Sequence, residues 1–118
     1  MKIQTLELQN FRNYKDLSLD LTSDKVIIIG ENAQGKTNIL EAIFYLASLN
    51  SYRAKKDIEL IKWNEEFCKI KAEIKKSDTD ITLETIINPP KKKILKVNSL
   101  KKNKSSEFVS NLSVVNFS

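Results

Sequence analysis

The sequence predicts an α/β fold, a mixed sheet with an antiparallel portion that carries one long amphipathic helix. Three observations predict it. Val26-Ile27-Ile28-Ile29 is a continuous β-branched run, the mark of a strand buried on both faces. Residues 36–49 place Ile39, Leu40, Ile43, Phe44, Leu46 and Ala47 at three-to-four spacing with neither Gly nor Pro among them. Cys68–Lys75 and Ile81–Asn88 each alternate apolar and polar residues, as half-buried strands do.

In chain order, Lys2–Gln9 reads as a strand through Ile3, Leu6 and Leu8, and Leu17, Leu19 and Leu21 alternate with Ser18 and Asp20 as a second. Asn10-Phe11-Arg12-Asn13-Tyr14 between them is neither periodic nor signed as a tight turn. The Val26–Ile29 strand follows, then a helix over Lys36–Leu49 in which Glu41 suits the positive end of the macrodipole. A short helix is expected at Asp57–Lys62 with Asp57 as its cap. The polar link Lys76–Asp80 makes Cys68–Lys75 and Ile81–Asn88 a hairpin. Pro89-Pro90 breaks the chain before a strand at Ile94–Val97, and a helix at Ser105–Leu112 and a strand at Ser113–Phe117 are expected after it. This layout divides the chain into a core over residues 1–66, an antiparallel insert over 67–103 and a return to the core over 104–118. The chain reaches its last residue in or just after a strand, and the expectation is an N-terminal piece of something longer.

Composition narrows the chemistry. There is no histidine and Cys68 is the lone cysteine, which removes disulfide frameworks, zinc sites and His-based acid–base or nucleophilic catalysis. Cys68 in a strand-like stretch is expected to be buried and structural. No apolar run is long enough to span a bilayer, and the start is no secretory signal, so a cytoplasmic location without membrane contact is expected. Charge is unevenly placed. Residues 1–50 hold 5 basic against 6 acidic side chains, and residues 51–118 hold 15 against 9. A basic second half suits a polyanion such as DNA, and it equally suits a solvated lysine-rich surface.

One motif carries chemistry. Gly30-Glu31-Asn32-Ala33-Gln34-Gly35-Lys36-Thr37 fits G-x-x-x-x-G-K-[ST] at every fixed position, directly after a predicted buried strand and before a predicted helix. Such a loop wraps phosphates with successive backbone N–H groups, and the helix behind it offers its positive end. Lys36 is placed to reach the β- and γ-phosphates of a nucleoside triphosphate, and the Thr37 hydroxyl to ligate Mg²⁺. Average usage would put about eight glycines in a chain of this length. This chain has two, Gly30 and Gly35, where close approach to phosphate demands them. The site is therefore read as an ATP and Mg²⁺ site. No predicted strand ends in four aliphatics followed by Asp or Glu, so the second carboxylate that hydrolysis requires is missing from the chain. Whether the chain is itself an enzyme is left open.

Asn10–Tyr14, the loop through Asn38, and Leu40-Glu41-Ala42-Ile43 together resemble the RecF family of bacterial recombination and repair ATPases. Ser51-Tyr52-Arg53, Leu60-Ile61-Lys62-Trp63 and Val114–Ser118 follow in that family's order, so the resemblance spans essentially the whole chain. It implies the N-terminal lobe of an ABC/SMC-type P-loop head that binds ATP and DNA, single-stranded or as a gapped duplex. It also implies weak DNA-stimulated ATP turnover in full-length members, an ATP-dependent homodimer, RecO and RecR partners, and roles in replication, gap repair and the SOS response. The family's signature motif and Walker B carboxylate are not in this sequence. By the same resemblance Arg12 is a further contact to the nucleotide. Its other reading is a surface arginine in a connection.

Lys91-Lys92-Lys93, with Lys96 beyond, lie in the densest basic cluster and are the candidates for DNA phosphate. They also suit a solvated hairpin surface. Two other functions fit the loop. A small P-loop kinase would need a clustered-arginine acceptor pocket, yet the only arginines are Arg12 and Arg53. The ATP-binding head of another SMC-like protein differs chiefly in the Asn10–Tyr14 element.

Overall fold

In the computed structural model, residues 2–20, 33–49, 56–76 and 79–102 are described, with backbone alone at 2, 33–37 and 76. Six strands form one sheet: β1 (Lys2–Phe11), β2 (Tyr14–Asp20), β3 (Cys68–Lys76), β4 (Thr79–Ile87), β5 (Ile94–Val97) and β6 (Leu100–Lys102). Their order is β2-β1-β3-β4-β5-β6, and every pairing among the described residues is antiparallel. The expected strands at Val26–Ile29 and Ser113–Phe117 and the helix at Ser105–Leu112 lie outside the described residues.

Period-two alternation builds the sheet's inner face. Leu8 pairs with Ile70, Leu6 with Ala72, Ala72 with Leu83, and Leu83 with Val97, so one register line after another carries apolar side chains to the same side. The outer face carries charge. Glu7, Lys71, Glu84, Lys96 and Lys101 stand opposite one another across five strands, and Glu84 meets Lys96 at 3.8 Å. The alternation of sign from Glu7 to Lys96 suits a solvated sheet face, and only the last pair, Lys96 with Lys101, sets like charges opposite each other.

The helix α1 (Ala33–Ser48) covers the inner face. Ile39, Ala42, Ile43, Leu46 and Leu49 are buried in one cluster with Leu6, Leu8, Ile70, Ile74, Leu83 and Ile87. Truncating Leu46 to Ala would cost about 2–5 kcal/mol, a large share of the roughly 5–15 kcal/mol that holds a domain of this kind. The helix starts three residues before the expected Lys36, which places Gly35, Lys36 and Thr37 within its first turns. It stops at Leu49, whose backbone turns left-handed (φ 58°) and whose N–H bonds the Tyr45 carbonyl. Glycine usually fills that position. Here a leucine fills it and buries its side chain in the core.

Two expectations need correction. Asn10–Tyr14 is a tight turn after all. Phe11 pairs with Tyr14, which leaves Arg12-Asn13 as a two-residue hairpin loop with Arg12 at φ 55°. Asp57 is not a cap. It opens a 3₁₀ turn at Asp57–Leu60, preceded by extended Lys56, whose N–H is taken by the Glu59 carboxylate at 3.0 Å. The acidic residue at the third helical position reaches back, as in half of a capping box.

Candidate nucleotide site

The site is built from the hairpin tip upward. Asn10 takes a left-handed conformation (φ 52°), which breaks the alternation of β1 so that Asn10 and Phe11 are both buried in succession. β3 accompanies β1 only as far as Gln9, and Leu60–Lys62 take over beyond it. The Arg12 N–H bonds the Leu60 carbonyl at 2.8 Å, the Lys62 N–H bonds the Asn10 carbonyl at 2.7 Å, and Phe11 bridges Ile61. The backbone of the tip is thus fixed from the side opposite β2.

The tip's side chains reach α1. Arg12 donates from Nε to Glu41 Oε1 at 2.8 Å and from Nη2 to Glu41 Oε2 at 2.7 Å. One turn earlier on the helix, Asn38 Nδ2 donates to Asn13 Oδ1 at 2.9 Å. Glu41 is wholly buried, while the Arg12 side chain keeps 25% of its surface exposed. Bidentate, charge-assisted pairs of this geometry are the strong ones. Breaking a buried pair costs about 3–5 kcal/mol, with the lower end expected here because Arg12 is partly solvated.

Glu41 is therefore not a macrodipole residue. With α1 opening at Ala33, it lies two turns in, and the first turn holds no acidic residue. The signal that could have found it is the spacing Asn38, Glu41, Tyr45. These are buried polar residues at i, i+3 and i+7, a second helix face beside the apolar one.

Of the expected loop residues, Gly30, Glu31 and Asn32 lie outside the described residues. Ala33, Gln34, Gly35, Lys36 and Thr37 are described as helical backbone. The first N–H groups of that helix have no intrahelical acceptor and offer themselves to an anion. Glu41 follows Thr37 by four residues, about 6 Å along the axis, so the Arg12 guanidinium is anchored roughly one turn behind the motif's hydroxyl position. Positive helix end and anchored cation together suit a polyphosphate.

The lysine cluster is divided. Lys91 and Lys92 are exposed just past Pro89-Pro90. Lys93 turns inward to Tyr45 on α1 and to Asp57, and Lys96 sits on the outer-face ladder beside Glu84. Burial, then the Asp57 carboxylate, pushes the Cys68 thiol up to about 12, so it is an inert core group as expected.

The family profile described as an AAA ATPase domain matches residues 1–116. The DNA replication and repair protein RecF of Bacillus cytotoxicus is 44% identical over 117 residues, 99% of this chain and 31% of that protein. The chain belongs to the RecF family of ATPase domains. It spans about a third of the length of the RecF relatives it matches. The solved structure of the recombination mediator protein RecF-ATP in the RecFOR pathway superposes with a TM-score of 0.85 at 32% identity, covering 98% of this chain and 32% of that one. A structure from work on ATP-driven dimerization and DNA-stimulated activation of SMC ATPases shares the fold, with a TM-score of 0.76 at 21% identity over 93% of this chain and 76% of that one. Over the matched residues the chain thus has a fold that this RecF structure and this SMC structure share.

Proposed function

We propose that this chain binds ATP with Mg²⁺ through Gly30, Glu31, Asn32, Ala33, Gln34, Gly35, Lys36 and Thr37, with Asn38 and Arg12 completing the site from α1 and the hairpin tip. One observation carries the reading. The complete glycine–lysine–threonine motif runs into the N-terminus of a helix whose next turns carry the buried Asn38 and, through Glu41, anchor Arg12. The likeness to a RecF structure that holds ATP supports it. When bound, the Mg²⁺–triphosphate group would supply the electrophilic phosphorus of an ATPase. The chain's part is to cradle the phosphates with backbone N–H groups, neutralise them with Lys36 and ligate the metal through Thr37.

In the whole protein, the same reading makes this lobe part of a cytoplasmic, ATP-dependent DNA-binding protein that acts in replication, gap repair and SOS induction. It dimerises with nucleotide bound and works with RecO- and RecR-type partners. The RecFOR context of the ATP-bound relative and the dimerising SMC heads of like fold support these roles. The division into a core over 1–66, an insert over 67–103 and a return over 104–118 belongs to this proposal.

Calorimetric titration with MgATP tests the site. The unmodified chain should take up one equivalent in a magnesium-dependent manner, and Lys36→Ala should abolish uptake at an unchanged melting temperature. Unchanged affinity in that variant overturns the assignment. Turnover by the 118-residue chain should stay near background, because no run of four aliphatics in it is followed by Asp or Glu.

A further inference from the structure

We infer that the cleft between the 3₁₀ turn at Asp57–Leu60 and the Pro89-Pro90 bend docks an extended segment of a partner protein, one that offers an apolar side chain with Lys or Arg beside it. The inference stands apart from the nucleotide reading, because no residue lining the cleft belongs to that site.

The cleft encloses about 440 Å³, within the roughly 300–1,000 Å³ range of binding clefts. Ile58 and Ile61 line it from the first connection, Pro89 and Pro90 from the second. Backbone bonds hold both connections. The Ile61 N–H bonds the Ile58 carbonyl at 3.2 Å and the Glu65 N–H the Lys62 carbonyl at 3.0 Å, while the Lys91 N–H bonds the Asn88 carbonyl at 2.9 Å. A partner therefore meets a preformed surface, and little ordering of this chain opposes docking. Ile58 keeps 57% of its surface exposed, and Trp63, farther along the same connection, keeps 84%. Exposed apolar side chains gathered on one short stretch mark a contact surface. The prolines bring no N–H, so the second connection adds apolar rings and carbonyl acceptors suited to the N–H groups of an extended chain.

Charge selects the partner. Glu65 and Glu66 line the cleft against Lys91, a net negative charge in a chain whose total is +5. All three side chains are exposed, and neither carboxylate has an ion pair or a hydrogen bond among the described residues. Nucleic-acid phosphate is repelled there, whereas a Lys or Arg next to the docked apolar side chain meets two carboxylates. Asn88, also in the lining, adds an amide that both donates and accepts.

Selection from a random nonapeptide display library against the whole chain tests the inference. Enriched peptides should carry a large aliphatic or aromatic residue within a few positions of Lys or Arg. Ile58→Ser should weaken the best of them roughly tenfold, the loss of one buried aliphatic contact. Glu65→Lys with Glu66→Lys should weaken it at least as much and remove the salt dependence of binding. Lys91→Glu, which leaves the apolar lining intact, should tighten binding, a gain that damage to the fold does not produce. No enrichment over an unrelated bait, wild-type affinity in Ile58→Ser or in the double charge reversal, or no gain in Lys91→Glu overturns the inference. So does enrichment of acidic peptides, which hands the cleft to Lys91. Reversible dimerisation of the chain in sedimentation that Ile58→Ser abolishes overturns it too, since a second copy then fills the cleft.

Discussion

The Lys93 ammonium donates a hydrogen bond to the Tyr45 hydroxyl at 3.0 Å, joining the lysine run after the proline pair to the middle of α1. It lies 5.3 Å from the ring centroid, so it sits off the hydroxyl end of the ring and not over its face. The interaction is a hydrogen bond and not a cation–π stack. Asp57, 3.1 Å from the same ammonium, completes a three-way junction among α1, the 3₁₀ turn and the approach to β5.

This divides the lysines into two experiments. Lys91→Glu with Lys92→Glu should weaken DNA binding by the whole protein and flatten the dependence of log affinity on log salt by roughly two, near 0.9 for each phosphate that is no longer neutralised. Its melting temperature should not change. Lys93→Met should instead lower stability by about 1 kcal/mol, most of it from the buried hydroxyl, because the Asp57 pair is too exposed to count for much. A salt titration of DNA binding and urea melts check both. An unchanged salt slope in the Lys91/Lys92 variant removes those residues from any DNA surface.

Stability should fall on the alkaline side. Burial first, and the Asp57 carboxylate second, hold the Tyr45 hydroxyl well above the ordinary tyrosine range, and the same two causes hold Cys68 near 12. Both groups bind their protons more tightly folded than unfolded. Their contribution is therefore complete below the unfolded values, near 9 for the thiol and 10 for the phenol, and is lost as pH rises beyond them. Each group can contribute a slope of at most about 1.4 kcal/mol per pH unit. Urea melts from pH 7 to 11 should show decline setting in near 9, and Cys68→Ala should delay its onset by about a unit. A flat profile to pH 11 would contradict this.

The elements that sequence made legible are those whose physics is periodic. Cys68–Lys76 and Thr79–Ile87 alternate cleanly because one sheet face is core and the other is solvent, and α1 shows its apolar stripe for the same reason. Turns were harder to read. With both glycines inside the Gly30–Thr37 motif, the left-handed non-glycine positions among the described residues are Asn10, Arg12, Leu49, Asn64, Asn98 and Ser99, and of these only the asparagines and the serine hint at a turn. Hence the hairpin at Arg12-Asn13 carried no signal, and neither did β6, whose Leu100-Lys101-Lys102 has too few residues to show a period. The motif at Gly30–Thr37 stands out in sequence because its fixed positions lie in one contiguous stretch. The Arg12–Glu41 pair does not, since nothing in a linear sequence joins residues 29 positions apart.

The same shortage of glycine offers a gain. Asn98-Ser99 is a two-residue hairpin loop between Val97 and Leu100, with φ of 52° and 68° at its two residues. Two positive φ values call for the Asn-Gly pair of a type I′ turn. Asn98 already suits its place, with Oδ1 accepting from the Thr82 N–H at 2.9 Å. Ser99→Gly should therefore stabilise the chain by about 0.5–1 kcal/mol by relieving the left-handed strain on a Cβ-bearing residue. A urea midpoint at or below that of the parent would refute it. Asn98→Gly should bring no such gain, because it discards the Thr82 bond.

Thr85 lies within the inner face of β4, paired with Ile70 on one side and Leu95 on the other, and is fully buried. Its Oγ1 has no hydrogen-bond partner among the described residues. A buried hydroxyl in that position costs about 1–3 kcal/mol of unrecovered hydration. Valine matches the shape, is β-branched, and carries a methyl where the hydroxyl stands, so Thr85→Val should raise stability by about 1 kcal/mol and leave MgATP affinity as it was. Thr85→Ala separates this from a packing effect, since it also removes the hydroxyl but opens a cavity and should give no comparable gain. If urea melts show Thr85→Val to be destabilised, the hydroxyl has a partner that holds it, and the interior of this sheet is more polar than its apolar register suggests.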